Sequence, residues 1–303
     1  MSTSGNRRKF VQSSTQAAVA AAVTVQMGLP LLADSKGSTS MSGKINHSVC
    51  RWCYSKFTIQ DLCVAGKEFG LQSVELLQPN EISEVQKHGL TCAMVSSPTV
   101  KAADGKMVGG ITHGWNRKQY HDVLLEAYRQ QIELVVKAGV NNLICFSGNR
   151  DGMDDRKGLE NCAIGLKRLM PIAEAEGVTI TMELLNSRVD HPDYMCDRTD
   201  WGVALCQAVG SDKFKLLYDI YHMQIMEGDV IATIRKHHRW ISHFHTGGVP
   251  GRNEIDDTQE LFYPAIMRAI VDTGYAGYVG QEFIPKRDDP LKSLRQGIEI
   301  CSI

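Results

Sequence analysis

Charge of one sign is what this sequence most lacks: 33 lysines and arginines face 34 aspartates and glutamates, leaving −1. A chain so balanced has no electrostatic reason to hold nucleic acid, whose affinity rests on an excess of basic side chains. It also lacks an apolar run suited to a bilayer. The candidate stretch, residues 17–32, is rich in alanine and broken by Gln26, Gly28 and Pro30, so a transmembrane span is excluded. No GxGxxG or Walker A sequence follows the first strand-like segment, which removes the usual marks of nucleotide binding. The only CxxC, Cys50-Arg51-Trp52-Cys53, has no second copy to complete a zinc site, and the nine cysteines are odd in number and irregularly spaced. They do not read as a disulfide framework. They are expected to pack as small apolar groups, and methionines such as Met223 and Met226 as core filler.

What is present divides into two parts. Asn6-Arg7-Arg8-Lys9-Phe10-Val11 puts an arginine pair just ahead of the weakly hydrophobic run, and residues 35–43 form a Ser/Gly-rich spacer. That is the layout of a twin-arginine export signal, with a cut expected before Lys44 and a periplasmic destination. Residues 44–303, 260 by subtraction, then make one domain close to the ~250 residues typical of a TIM barrel.

Within that domain, short apolar runs alternate with longer helical patterns. Strands are predicted at 45–50, 73–77, 91–95, 142–147, 179–184, 215–219, 241–245 and 278–283, eight in all. Helical spacing of apolar residues recurs at 129–138, 159–176, 199–209 and 264–273, at intervals of three and four. Helix ends are marked by Gly70, Gly89, Gly139, Gly177, Gly210 and Gly274, with the next strand beginning a few residues on. Strands alternating with helices imply a parallel sheet, and eight of them at this length favour closure into a (β/α)8 barrel over an open doubly wound sheet.

In such barrels the active face lies at the C-terminal ends of the strands. Four successive strands, the fifth to the eighth, end on Glu183, Asp219, His245 and Glu282. A carboxylate placed inside a strand-forming apolar run is costly to bury unless a cation or proton offsets it. Three carboxylates converging on one mouth would repel one another. With one imidazole they suit a divalent metal ion: Mn, Mg or Co, with Zn the remaining option. The competing reading makes each residue a partly solvated or salt-bridged strand end. His243 lies on the same side of its strand as His245 but deeper, which suits a packed, hydrogen-bonded core role.

The densest motifs are Glu183-Leu184-Leu185-Asn186, Tyr218-Asp219-Ile220-Tyr221-His222, the run from His243 through Gly247-Gly248-Val249-Pro250-Gly251-Arg252, and Gly280-Gln281-Glu282-Phe283. With these the chain resembles the hydroxypyruvate isomerase-like branch of the xylose isomerase-like TIM barrels, which includes the ketose 3-epimerases. The resemblance implies that Glu183, Asp219, His245 and Glu282 hold one divalent ion and that Glu183 and Glu282 double as acid and base. It also implies that His222 and Arg252 contact substrate oxygens and that the barrel forms a homodimer or homotetramer. His245 matches the epimerase side of the family and points to a sugar-like substrate.

Further substrate contacts are expected at Glu75 (a sugar hydroxyl), Trp52 (a sugar face), His113 (in the loop at 101–116, closing over substrate) and Asp190 with its neighbour His191. Their competing readings are a salt bridge inside the barrel, packing at its mouth, a solvated loop histidine and a turn beside Pro192. The activity expected is isomerisation or epimerisation of a small hydroxy-carbonyl compound or keto-sugar by proton transfer through an enediolate. Two alternatives stand beside it: a metal-dependent lyase acting on keto-glycosides, and a sugar-binding barrel without turnover.

Overall fold

The computed structural model describes residues 44–303, so the twin-arginine signal and spacer expected at 1–43 lie outside the described residues. The strands are β1 (Asn46–Cys50), β2 (Leu71–Glu75), β3 (Val100–Lys101), β4 (Met107–Val108), β5 (Asn142–Cys145), β6 (Thr179–Leu184), β7 (Phe214–Asp219), β8 (Ile241–Thr246) and β9 (Tyr278–Gln281). The helices are α1 (Ile59–Glu68), α2 (Pro79–Lys87), α3 (His121–Lys137), α4 (Asp155–Ala175), α5 (Thr199–Val209), α6 (Ile220–Met226), α7 (Val230–His237), α8 (Tyr263–Asp272) and α9 (Pro290–Cys301). Seven strands form one parallel sheet in the order β2-β1-β9-β8-β7-β6-β5. The chain is an α/β barrel, as its alternating pattern predicts.

The eighth stave departs from expectation. Residues 91–95 close the ring between β2 and β5, but only through single parallel bridges, Ser73 with Thr91, Leu77 with Val95 and Val95 with Leu143. One physical reason is visible: the Ala93 N–H donates to the Ser73 hydroxyl at 2.8 Å instead of to a backbone carbonyl, so the ladder is interrupted. The loop expected at 101–116 carries a small antiparallel hairpin, β3 with β4.

Helix ends follow ordinary capping chemistry. Asp154 accepts hydrogen bonds from the N–H groups of Arg156 and Lys157 at the start of α4, satisfying donors that have no partner within the helix. Gly210 ends α5 at φ 73°, its N–H bonded to the Cys206 carbonyl, a left-handed position where a Cβ would be strained. Two helices differ from expectation. α3 begins at His121, because Leu124, Ala127 and Tyr128 already face the core ahead of residue 129. α4 begins at Asp155, four residues ahead of the predicted 159, and like the predicted segment it contains Pro171.

The main core lies between barrel and helices, with Leu62, Leu124, Leu166, Phe214 and Ile270 all buried. The barrel's interior has a small apolar cluster of Met94, Ile144 and Leu217. Polar pairs line the rest: Ser48 with Ser73 at 2.9 Å, Thr181 with Ser242 at 3.2 Å, and Glu75 with His243 at 2.7 Å. The nine cysteines are unpaired, and all but the half-buried Cys53 are buried. Among the described residues, no helix is long and apolar enough to cross a membrane.

Candidate active site

Parallel pairing brings the four strand-end residues to one level. Asp219 pairs with His245 across β7 and β8, and His245 with Gly280 across β8 and β9, while Glu183 is the penultimate residue of β6 and Glu282 directly follows β9. Each of the four offers one donor atom, and these atoms lie within 4.8 Å of one another. All four side chains are buried.

The electrostatics of this cluster are severe. Burial pushes the Asp219 carboxyl up to about 8, with the charges of Glu282 and Glu183 adding to the effect and Arg252 opposing it. Burial likewise raises Glu183. Glu282 is also disfavoured as an anion by burial, yet Arg252, His245 and the Trp52 indole hold it well below the usual carboxylate range. Arg252 supplies the main countercharge: its Nη2 lies 3.1 Å from Asp219 Oδ2 and 2.5 Å from Glu282 Oε2.

The donor set fits a divalent cation. His245 Nε2 is engaged by Glu75 Oε1 at 2.7 Å, whereas its Nδ1 is a buried atom without a hydrogen-bond partner. That nitrogen faces Glu282 Oε2 at 2.7 Å and Glu183 Oε1 at 3.5 Å. With Nε2 held by Glu75, Nδ1 is the nitrogen from which a cation would displace the proton, and one imidazole nitrogen among carboxylate oxygens is the composition that hard or borderline divalent ions take.

Above the cluster opens a cavity of about 390 Å³, within the range of small-molecule pockets. Its polar end is made by Glu183, Glu282, Arg252 and His191, and Trp52 stands beside them. The remaining wall is Leu76, Ser96, Ser97, Ile111, Ile144, Phe146 and Leu185. Trp52, 42% exposed, donates from Nε1 to Glu282 Oε1 at 2.7 Å. The Arg252 guanidinium sits 5.2 Å from the centre of the Trp52 ring and 5.4 Å from that of Tyr221, close enough for cation–π attraction. Arg252 itself has φ 57° in a loop pinned by Tyr263, whose hydroxyl accepts from the Gly247 N–H and donates to the Gly247 carbonyl, both at 2.8 Å.

His222 stands behind Asp219. Its backbone N–H donates to Asp219 Oδ1 at 3.2 Å, and its Nε2 lies 3.7 Å from Asp219 Oδ2. Asn186 donates to His222 Nδ1 and to Asp190 Oδ2, both at 2.6 Å, and Tyr221 donates to the same Asp190 oxygen at 2.8 Å. Burial and the Arg252 charge hold His222 well below the usual histidine range.

Four expected substrate contacts are placed elsewhere, the first being His222, which is fully buried behind Asp219 and does not line the cavity. Glu75 is fully buried beneath the cavity, its Oε1 shared by His243 and His245 at 2.7 Å each. Attraction and hydrogen bonds from these histidines outweigh burial and hold its carboxyl down at about 2. The barrel-interior ion pair is therefore what the residue makes. Asp190 organises the Asn186–His222 pair and does not line the cavity, although its neighbour His191 does. His113 is half-buried, with Nδ1 at 3.2 Å from the Met107 carbonyl, in a separate groove with Lys106 and Arg117. The strand pattern left out Ser96, Ser97, Ile111 and Phe146 as cavity walls. The first two directly follow the predicted 91–95 stave, and Phe146 lies near the end of the predicted 142–147 strand, so their positions carried the signal.

Residues 67–302 match the protein family described as Xylose isomerase-like TIM barrel. A 2-oxo-tetronate isomerase of Cupriavidus necator is 39% identical over 128 residues, 42% of this chain and 47% of that one. The hydroxypyruvate isomerase of Escherichia coli is 32% identical over 111 residues, 37% of this chain and 42% of that one. Both matches thus span under half of the relatives' own length. Among solved structures, the 3-keto-D-glucoside 4-epimerase from E. coli is similar with a TM-score of 0.67 at 18% identity, over 85% of this chain and 98% of that one. That is a likeness of fold.

Proposed function

The chain belongs to the xylose isomerase-like TIM barrel family, and from that premise we propose that it is a divalent-metal-dependent isomerase or epimerase of a small hydroxy-carbonyl compound or keto-sugar. The observation that carries the reading is a pair of glutamates, Glu183 and Glu282, lining one end of a substrate-sized cavity within a four-residue donor set. The names of the relatives, isomerases of oxo-acids and of hydroxypyruvate, support the same class.

Glu183, Asp219, His245 and Glu282 would hold the ion, which supplies Lewis acidity that makes a C–H beside a carbonyl more acidic. One glutamate takes that proton. The other returns one, to the neighbouring carbon in an isomerisation or to the opposite face in an epimerisation. Trp52 fixes the orientation of Glu282 through its indole N–H and covers one side of the cavity. Arg252 holds the developing oxyanion or a substrate carboxylate, for which its planar fork is suited. His222 is aimed by the Asn186–Asp190 pair and keeps Asp219 in place through its backbone N–H. The cavity's far wall carries no charged side chain, so the part of the substrate away from the carbonyl is uncharged.

The test is hydrogen exchange. Incubated in D2O with the Mn2+-loaded enzyme, an α-hydroxy-carbonyl substrate acquires deuterium at the carbon between the two glutamates, and Glu183→Gln and Glu282→Gln each abolish it. A protein that exchanges no substrate hydrogen, or variants that exchange as well as wild type, sink the reading. Release of an aglycone from a keto-glycoside would instead favour the lyase.

A further inference from the structure

Glu75 lies below the cavity, where it cannot touch substrate, yet it meets the imidazole at the centre of the donor set at 2.7 Å, as close as Glu282 does on the ring's other nitrogen. Resting on the metal-site reading above, we propose that Glu75 is the positioning residue of that site: it holds His245 by Nε2 and so leaves Nδ1 as the nitrogen presented to the cation. Glu75 ends β2, and to reach β8 its carboxylate passes across β1 and β9 through the barrel interior. Its Oε1 lies 2.7 Å from His245 Nε2 and 2.7 Å from His243 Nε2. An acceptor gripped from two sides cannot rotate away from either ring. The His245 ring is therefore fixed in both tautomer and angle, with Nδ1 turned to Glu183 and Glu282. A carboxylate accepting the distal N–H also makes an imidazole a stronger donor, which is the general way outer groups tune a metal-binding histidine.

A second observation shows that the barrel is shaped around this contact. Gly280 pairs directly with His245, and a Cβ built on it would fall 2.8 Å from Glu75 Oε1 and 2.9 Å from His245 Cδ2. A side chain of any size there would part the two groups. Cys50 Sγ, 3.6 Å from the same Nε2, is the group left beside the ring if Glu75 is withdrawn, and a thiol is a far weaker partner than a carboxylate.

The experiment measures Mn2+ dissociation constants of the full chain by chelator competition, together with the visible spectrum of the Co2+-loaded protein. Glu75→Leu should weaken Mn2+ binding by about 10- to 100-fold, the range found when such outer partners are lost, and should alter the Co2+ spectrum. Glu75→Gln, which keeps an acceptor oxygen, recovers part of the affinity. Gly280→Ala, which keeps every hydrogen-bonding group, weakens binding in the same direction and serves where Glu75→Leu does not fold. Wild-type Mn2+ affinity and an unchanged Co2+ spectrum in Glu75→Leu, or in Gly280→Ala where Glu75→Leu does not fold, overturn the proposal while leaving the metal site standing. A wild-type chain that takes up neither ion overturns the site itself and this proposal with it.

Discussion

Replacing Arg252 with methionine separates the guanidinium that holds this cluster from the divalent ion proposed to compete for it. The guanidinium is buried, 3.1 Å from Asp219 and 2.5 Å from Glu282, and methionine keeps an unbranched stem beside Trp52 and Tyr221 while removing the charge. At an effective dielectric of about 20, a unit-charge contact near 3 Å carries about 5 kcal/mol of attraction, largely offset by desolvation. Removing one member of a buried pair strands its partners and costs about 3–5 kcal/mol. Each kcal/mol shifts the melting temperature of a domain this large by about 2–4 °C, so in EDTA the variant should melt about 6–20 °C below wild type. Mn2+ at about 100 times its Kd stabilises wild type by about 2.7 kcal/mol, and it should stabilise the variant more, because no guanidinium has to leave the carboxylates. Thermal unfolding of both proteins in EDTA and across a Mn2+ series tests both arms. An EDTA-treated variant within about 2 °C of wild type, less than 1 kcal/mol on that scale, refutes the reasoning. So does a variant that gains no more from Mn2+ than wild type does.

Trp52→Phe keeps the ring but loses the 2.7 Å hydrogen bond to Glu282; a bond to a charged acceptor is worth about 1.5–3 kcal/mol, so kcat should fall by at least about tenfold, and unchanged kcat would remove Trp52 from the machinery. Gly114→Ala would place a Cβ 2.2 Å from the Phe146 carbonyl oxygen and 2.8 Å from the Gly148 nitrogen; main-chain atoms cannot rotate aside, so the urea midpoint should drop by an amount equivalent to about 1–3 kcal/mol, with a raised KM as Phe146 shifts in the cavity wall. Burial holds His47 down at about 4 against its usual 6.5. Between those values the unfolded chain takes up a proton that the folded chain refuses, so stability falls as pH drops through the window, by at most about 3 kcal/mol. His47→Gln should therefore lose less stability than wild type between pH 7 and pH 4.5, as read by urea titration, and equal losses would deny His47 a share in acid unfolding.

Much of the fold was legible because strands and helices in a parallel barrel advertise themselves by period and by glycine stops. The predicted 179–184, 215–219 and 241–245 strands lie within one residue of β6, β7 and β8, since their ends are set by Glu183, Asp219 and His245. The stave at 91–95 was legible as an apolar run but not as an irregular one, because its broken ladder comes from the Ser73 hydroxyl, a partner about twenty residues away. The convergence of the four donors followed from strand ends alone. The role of Glu75 did not: a carboxylate ending β2 looks the same in sequence whether it points up into a cavity or across toward β8. Burial and its two histidine partners decide that, and both are properties of the closed ring. His113 misled for the opposite reason, since a loop residue's side of the barrel is set by the β3–β4 hairpin, whose two short strands leave almost no periodic trace.

The ring is unequal around its circumference. Its continuous hydrogen-bonded arc from β6 to β9 carries the four residues of the proposed cation site, while much of the uncharged cavity wall comes from around the interrupted stave: Leu76, Ser96, Ser97, Ile144 and Phe146. Substitutions that reshape what the cavity admits can therefore accumulate beside the stave while the arc assigned to the proposed chemistry keeps its register. A barrel built in this way can change its diet without relearning its trade.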